Sequence, residues 1–315
     1  MTIVYEHVFA TSHRVRKDIP KDVFFENNQY FPKKMSCDIL LHSLIADDSE
    51  RYTLWLGSTE KHSNVAIKHF KSWDSILMKR EIAIMKSLKH ESIVTFFFVC
   101  ADSNNLYVGM ERGTDGDLFT LIVCKGRLEK SVVKSYILQL ANALGHMHKL
   151  AILHRNLSPD NILLTDGFRM VKLGGFSSMC KVPHKGQCVS LRGDNVEYLS
   201  PEQITQDNVG TTCDVWGLGC LISEMLCGST PFHKQNCVDT VENILMAKPT
   251  TRWEKLLNSH DKTFIKEFLW LDPSLRTSLS TLTTHRWMVS EDMEVLQRIS
   301  NLSILENEID PEDTA

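Results

Sequence analysis

The first third of the chain and the remainder differ in the period of their hydrophobic positions. Between residues 39 and 110, short β-prone runs alternate with polar turns, and one stretch, 74–89, has apolar residues three and four positions apart. The predicted strands cover residues 52–56, 64–68, 93–99 and 106–110. From Asp117 onward helical patterns dominate, including an amphipathic stretch at 131–150 and a segment at 215–226 that is apolar nearly all round. The pattern predicts an α+β protein with a β-rich part followed by a helical part.

Composition adds to this picture mainly by excluding classes of protein. The chain has 315 residues, 43% of them hydrophobic, and a net charge of −4 at pH 7, which is typical of a globular protein and argues against a nucleic-acid-binding one. No apolar run reaches the ~20 residues that span a bilayer, and Glu6 lies where a signal peptide has basic residues. Its 9 cysteines include no CxxC pair. We therefore expect a cytoplasmic or nuclear protein that is neither secreted nor inserted into a membrane.

Short motifs follow one another along the chain in a defined order. They are VAIK at 65–68, RE at 80–81, LKHESIV at 88–94, HRNLSPDNILL at 154–164, SPE at 200–202, DVWGLG at 214–219 and DPSLR at 272–276. Their order and spacing resemble those of the eukaryotic protein kinase superfamily, in its serine/threonine branch. The resemblance covers about residues 40 to 288. It implies a two-lobed kinase-like fold, with a β-rich N-lobe that contains one helix, αC, and an α-helical C-lobe.

This resemblance divides the chain into three segments. Residues 1–38 are predicted to form an N-terminal extension, and residues 39–288 the kinase-like domain. Within that domain the N-lobe covers about 39–112 and the C-lobe about 113–288. Residues 289–315 are predicted to form a C-terminal helix followed by an acidic tail.

The positions that carry the chemistry in this family differ in this chain. The resemblance places Asn156 where the catalytic loop has its aspartate, and Ser158 where it has the lysine that neutralises the moving phosphate. Gly175 stands at the aspartate of DFG and has no side-chain oxygen for Mg²⁺. The stretch 45–52 matches the glycine-rich loop but contains no glycine, unless the loop is misaligned. We therefore predict no catalytic residue and no metal site, since Asn161 alone is a weak metal ligand.

Other functional positions of the family are retained. Lys68 and Glu81 match the ion pair that holds αC inward, and they would either contact a nucleotide or serve only as a bridge that stabilises the fold. If a nucleotide binds, the resemblance assigns it to Lys68, Glu81, Ala66, Met110, Arg112 and Leu163. We expect no cofactor, and ATP without Mg²⁺ is the form of binding that these residues leave open.

The departures lead to a functional prediction with one alternative. We predict a pseudokinase that is not an enzyme and acts as an adaptor, scaffold or allosteric regulator of a signalling partner. That partner would be a protein, such as a true kinase or its regulator, and not a nucleic acid. It would dock on the αC side, the activation segment at 179–192 or the C-terminal tail. The alternative is a divergent serine/threonine protein kinase with residual ATP binding or weak activity, and an intermediate form is a sensor that binds ATP without turnover.

Overall fold

A computed structural model of the chain describes residues 13–15, 24–25, 29–30, 39–48, 52–70, 76–101, 105–181, 195–205, 207 and 209–289. These belong to two compact units, the first formed by Met1–Leu118 and Asp160–Cys180 and the second by Phe119–Pro159 and Lys181–Ala315. Several predicted features lie outside the described residues. They are most of the N-terminal extension, residues 49–51 of the candidate glycine-rich loop, residues 182–192 of the activation segment, and the tail from residue 290. The segment boundaries predicted from the sequence stay predictions.

The first unit is built on an antiparallel sheet of six strands with the order β1-β4-β5-β6-β8-β7. These strands are β1 (His13–Val15), β4 (Ile39–Asp48), β5 (Tyr52–Ser58), β6 (Val65–Phe70), β7 (Phe96–Ala101) and β8 (Leu106–Met110). A separate short pair joins β2 (Phe24–Phe25) to β3 (Gln29–Tyr30). Side chains alternate between the two faces of a strand. Val65 and Ile67 of β6 therefore join one apolar cluster, together with Ile39, Leu41 and Phe98.

One helix and one further hairpin complete the first unit. Helix α1 (Ile76–Ser87) contacts the 3₁₀ turn Phe176–Ser178 and buries Met78, Ile82 and Met85. Strands β10 (Ile162–Thr165) and β11 (Met170–Leu173) form a hairpin. Two isolated bridges tie the hairpin to the unit, from Ile93 to Leu173 and from Asp117 to Leu163.

The second unit is mainly helical. The helices from Leu118 onward are α2 (Leu118–Lys125), α3 (Lys130–Lys149), α4 (Pro201–Thr205), α5 (Thr212–Cys227), α6 (Cys237–Leu245), α7 (Thr251–Leu256) and α8 (Ser259–Lys266). Two further short strands lie between α3 and α4 in the chain, β9 (Ile152–Leu153) and β12 (Cys180–Lys181). Helix α5 is the central element and contacts α3, α7 and α8. Its Trp216 is fully buried and stacks on Phe232 with a centroid distance of 5.3 Å. This explains why its sequence is apolar on every side.

The observed elements confirm the predicted α+β organisation. One difference concerns the strand predicted at 93–99, because β7 begins only at Phe96. Ile93 and Val94 are buried, but Ile93 pairs singly with Leu173 and Val94 donates its N–H to the carbonyl of Leu173. These apolar residues therefore attach the second hairpin to the sheet unit and do not extend β7. No helix among the described residues has the length and apolar character needed to cross a membrane.

Candidate functional site

Lys68 lies at the centre of the candidate site in the first unit. It is on β6, where it pairs with Leu54 of β5 and Val108 of β8. Its Nζ donates a hydrogen bond of 2.6 Å to Oε1 of Glu81 on α1, and each residue is 8% exposed. Buried charges are tolerated when they are paired, because pairing offsets their loss of hydration. The pair therefore fixes one face of α1 against the sheet.

The residues predicted to bind adenine lie around the same face of the sheet. Ala66 is two positions before Lys68 on β6 and pairs with Met110 of β8, so the three side chains share one face. Leu163 approaches the backbone just after Met110, because a Cβ placed on Gly113 would lie 2.9 Å from the Cβ of Leu163. Ala66, Lys68 and Met110 therefore share one face of the sheet, and Leu163 lies near the segment that follows Met110.

The side chain of Arg112 contacts a different part of the first unit. Its Nη1 donates to Oδ1 of Asn64, in the turn between β5 and β6, at 3.4 Å. Arg112 therefore contacts the turn that precedes β6, and its role at a nucleotide stays a prediction. The structure also brings in Tyr52, which the sequence analysis did not single out as a site residue. Its ring centroid lies 4.0 Å from Nζ of Lys68.

The position predicted to lack a metal ligand has a distinct local geometry. Gly175 has a φ of +73°, a left-handed conformation that favours glycine. A Cβ at this position would lie 2.4 Å from Cγ and 2.5 Å from Oδ1 of Asn161. The amide of Asn161 thus fills the space in which a side chain at position 175 would begin. Asn161 is held there through its backbone carbonyl, which accepts a hydrogen bond from the backbone N–H of Gly174 at 2.8 Å.

This arrangement does not fit Mg²⁺. The ion prefers near-octahedral coordination by hard oxygen ligands, usually including carboxylates. Here the side chains at 161 and 175 supply one amide. The described residues contain no group of three or more His, Cys, Asp and Glu side chains that could hold a metal ion. We therefore derive no chemical step through a metal at this site.

The stretch matched on the glycine-rich loop is largely strand. Strand β4 continues to Asp48 and β5 begins at Tyr52, with Asp47 paired to Thr53 and Asp48 to Tyr52. Only residues 49–51, outside the described part, lie between the two strands. Gly57, the glycine nearest to this stretch, allows close packing within the sheet, because a Cβ there would lie 2.3 Å from Cδ1 of Ile67.

The second unit holds the loop that contains Asn156 and Ser158. Asp214, at the start of α5, braces this loop by accepting the N–H groups of His154 at 2.9 Å and Arg155 at 2.8 Å, and it also contacts Nε2 of His148 at 2.8 Å. Burial acts to raise the pKa of Asp214. The hydrogen bonds and the interaction with His148 outweigh it, so the pKa lies below its ordinary value. The backbone of this loop is thus held by a buried carboxylate.

The side chains at the two substituted positions of this loop, Asn156 and Ser158, are neutral. Ser158 is fully buried, and the N–H of Asn156 donates to Nδ1 of His154 at 3.3 Å. An amide at position 156 can hold a hydroxyl group by a hydrogen bond, but unlike a carboxylate it cannot accept the proton. The loop can therefore orient a hydroxyl group without acting as a base.

Comparison with known families decides what this fold is. Residues 56–288 match the protein kinase domain. The chain belongs to the protein kinase family. This membership confirms the two-lobed kinase-like fold that the motifs predicted, with a β-rich N-lobe containing one helix and a helical C-lobe.

Several curated kinases are similar to this kinase domain. It is 32% identical over 213 residues to "Aurora kinase" of Candida glabrata, covering 67% of this chain and 58% of that protein. It is 30% identical over 212 residues to "SNF1-related protein kinase catalytic subunit alpha KIN12" of Arabidopsis thaliana, covering 67% and 42%. It is 29% identical over 215 residues to the human "SNF-related serine/threonine-protein kinase", covering 68% and 28%. The chain thus spans less than two thirds of the length of each of these relatives.

These matches correct one prediction from the sequence. The prediction that the chain is not an enzyme is wrong, because the relatives it matches are named as kinases. It rested on the absence of charged groups at Asn156, Ser158 and Gly175. Phosphoryl transfer depends largely on positioning, and Lys68 and Glu81, which the resemblance matches to the pair that positions kinase sites, are hydrogen-bonded to each other. The absence of charged side chains at these three positions therefore does not by itself make the domain inactive.

Proposed function

We propose that this kinase domain is a divergent serine/threonine protein kinase that binds ATP weakly and transfers its terminal phosphate slowly. The observation that carries the proposal is the buried ion pair between Lys68 and Glu81, 2.6 Å apart. In protein kinases this lysine contacts the phosphates of ATP, and its ion pair to the αC helix must be in place for activity. The serine/threonine specificity is inferred from the name of a relative.

The proposed binding mode uses the residues of the first unit. The apolar side chains of Ala66, Met110 and Leu163 would contact the adenine ring, and the ammonium of Lys68 would contact the phosphates. Because the residues at 161 and 175 do not fit Mg²⁺, we expect ATP binding that does not depend on this ion. The affinity is expected to be low, since Lys68 is the one cation assigned to the polyphosphate among the described residues of this surface.

Two residues of the second unit, Asn156 and Ser158, are expected to make the proposed transfer slow. Asn156 can orient the substrate hydroxyl, and the proton then leaves to water and not to a carboxylate. Ser158 adds no positive charge to the transferred phosphate. Effects within one catalytic unit are not additive, so these substitutions lower the rate without fixing it at zero. We expect turnover far below the roughly 1–100 s⁻¹ that is usual for protein kinases.

Binding is tested by thermal unfolding of the full chain with ATP, with and without Mg²⁺. A ligand that binds the native state raises the unfolding temperature. We expect a small rise with ATP that is the same in the presence of Mg²⁺ or EDTA. The absence of any rise at millimolar ATP would contradict the proposal, and a rise that requires Mg²⁺ would contradict the assignment of the metal position.

Transfer is tested with radiolabelled ATP and a degenerate peptide library containing serine and threonine. Lys68→Met should abolish incorporation. Lys172→Met is a matched control, because Lys172 also forms an ion pair in the first unit, 2.8 Å from Glu111, and is not assigned to the site. We expect the control to retain wild-type incorporation. Incorporation that survives Lys68→Met, or none in the wild type, would overturn the proposal.

The protein substrate or partner of this kinase domain is defined only by class. A protein bearing a serine or threonine hydroxyl is the substrate that the proposed reaction requires. The further predictions, a regulatory contact with a true kinase or its regulator and a cytoplasmic or nuclear location, stay predictions. Two of the surfaces named for such a contact, the activation segment beyond Lys181 and the tail, lie outside the described residues.

A further inference from the structure

Lys68 is enclosed by two aromatic rings in addition to Glu81. Its Nζ lies 4.0 Å from the ring centroid of Tyr52 and 5.2 Å from that of Phe70. The two rings are 5.9 Å apart and inclined at 55° to each other. The ammonium therefore has a carboxylate on one side and the electron-rich faces of aromatic rings on others, which is a favourable environment for a cation.

The strand register explains how this enclosure forms. Leu54 of β5 pairs with Lys68 of β6, and Thr53 pairs with His69. Tyr52 and Leu54 therefore point to the same face of the sheet as Lys68 and Phe70. His69 is on the opposite face, where it contacts Thr53 Oγ1 and stacks on Tyr107. The enclosure is thus a consequence of the register between β5 and β6.

The two rings differ in how easily they can move. Phe70 is 7% exposed and ends a central strand, whereas Tyr52 is partly exposed and is the first residue of β5. A side chain at the end of a hairpin strand can leave its position at a smaller packing cost than one in the core. Tyr52 is therefore the ring that a ligand of Lys68 would displace.

We propose that Tyr52 gates Lys68, so that an anionic ligand reaches the ammonium only when the Tyr52 ring swings away. This inference deepens the proposed function and rests on it where the ligand is ATP. A phosphate oxygen must approach Nζ to about 2.8 Å to form a charge-assisted hydrogen bond. Lys68 is 8% exposed, so its remaining open surface is small. The ring and the phosphate therefore compete for the same side of the ammonium.

The gate predicts a specific pattern of ligand preference. ATP has to displace Tyr52, whereas adenosine, which lacks phosphates, can occupy the apolar surface without doing so. Replacing Tyr52 with alanine should therefore strengthen ATP binding and leave adenosine binding unchanged. The expected gain for ATP is about three- to thirtyfold, the range that corresponds to one cation–π contact.

The first experiment measures access to Lys68 without any nucleotide. The full chain is treated with a small amine-acylating reagent, and modification of Lys68 is followed by mass spectrometry of its peptide. We expect Tyr52→Ala and Tyr52→Leu to be acylated several times faster than the wild type, and Tyr52→Phe at the wild-type rate, because the ring and not the hydroxyl covers the amine. Lys172 is the internal control and should react at one rate in all variants. Equal rates at Lys68 in the wild type and both ring-deletion variants would overturn the gate.

The second experiment separates the gate from the proposed function. Affinities for ATP and adenosine are measured by calorimetry on the wild type, Tyr52→Phe and Tyr52→Leu, the last of which keeps apolar bulk and guards against loss of folding. A gain for ATP alone in Tyr52→Leu supports the gate. Equal ATP affinity in all variants contradicts the gate but leaves ATP binding intact. No ATP binding in any variant contradicts the proposed function, while faster acylation still supports the gate.

Discussion

Each unit contains a buried ion pair, and the two pairs are built differently. In the second unit, Arg276 donates two parallel hydrogen bonds to Glu202, 2.6 and 2.8 Å long, and also donates to the carbonyls of Thr212 and Trp270, both at 2.9 Å. In the first unit, Lys68 is bonded to one oxygen of Glu81 and is otherwise faced by aromatic rings. The guanidinium of Arg276 donates hydrogen bonds to four oxygen atoms, whereas the ammonium of Lys68 donates to one, on Glu81.

The difference indicates two uses of a buried charge. A planar guanidinium fits a carboxylate with both edges and suits a fixed structural contact, whereas an ammonium on a flexible chain adapts to more than one partner. The side chain of Arg276 has no exposed surface, and that of Lys68 is 10% exposed. We infer that the second unit uses its pair to hold α4 and α5 together, while the first unit keeps its pair able to exchange partners.

The largest effect that tests this comparison is expected for Arg276→Met. Removing the guanidinium leaves Glu202 buried without its partner, which is expected to lower the free energy of unfolding by about 3–5 kcal/mol. Urea denaturation of the full chain measures this loss. Arg276→Lys keeps the charge but not the two parallel bonds, and we expect it to fall between the wild type and Arg276→Met. A loss below about 1 kcal/mol for Arg276→Met would contradict a structural role for the pair.

The second test is Lys68→Met, for which we expect a smaller loss of about 1–3 kcal/mol. Glu81 then loses one hydrogen bond, whereas Arg276→Met removes two hydrogen bonds to Glu202 and two more to backbone carbonyls. The double variant Lys68→Met with Glu81→Gln should lose less than the sum of the two single variants, because the second change removes the unpaired charge. Additive losses, or a loss as large as for Arg276→Met, would remove the distinction between the two pairs.

The parts of this picture that the sequence predicts are those encoded by local pattern. The hydrophobic period predicts β5, β6, β8 and α1 close to their observed ends, and the motifs bring Lys68 and Glu81 together although they are 13 residues apart. The buried state of α5 follows from its continuous apolar sequence. These features depend on neighbours along the chain or on a family pattern.

Features that depend on contacts between distant segments, such as the register between strands, could not be predicted from the sequence. The position of Tyr52 over Lys68 follows from the pairing of β5 with β6, which no single stretch of sequence specifies. The contact between the side chain of Asn161 and the position of Gly175 likewise joins two distant segments, the 3₁₀ turn Pro159–Asn161 before β10 and the turn after β11. The sequence shows that glycine stands at position 175, but only the structure shows which side chain occupies the freed volume.

A pair of left-handed glycines, one in each unit, gives the third test. A Cβ at Gly175 would meet the movable side chain of Asn161, and a Cβ at Gly228 would lie 2.2 Å from the backbone oxygen of Gly126. The left-handed backbone costs about 1–2 kcal/mol for a residue other than glycine. We expect Gly175→Ala to lose somewhat more than that amount in urea denaturation, because the side chain of Asn161 must also move, and Gly228→Ala to lose more still, because a backbone atom cannot turn away.

The control for this test removes the side chain of Asn161, which fills the space beside position 175. In the Asn161→Ala background, Gly175→Ala should lose only the backbone share, whereas the loss from Gly228→Ala should be unchanged. If Asn161→Ala gives no relief at position 175, the two side chains do not compete for one volume. If it relieves Gly228→Ala as well, the effect is a general one and not local to the first unit.

The smallest effect concerns acid, and it is expected in the second unit. The pKa of Asp214 is lower in the folded protein than in the unfolded chain, where it is near its ordinary value of 3.8. The charged form is therefore favoured by folding, so Asp214 contributes stability above the unfolded pKa and loses it as pH falls through the folded one. One proton is taken up on unfolding in this range, which corresponds to at most about 1.4 kcal/mol per pH unit. Asp214→Asn cannot take up this proton, and its unfolding free energy should fall less steeply between pH 5 and pH 2.

Hydrogen exchange, followed by mass spectrometry on the peptide that contains His154 and Arg155, locates the effect, because their N–H groups donate to Asp214. We expect that peptide to lose protection in acid in the wild type more steeply than in Asp214→Asn, and parallel curves for the two proteins would show that another carboxylate governs the acid response of this unit.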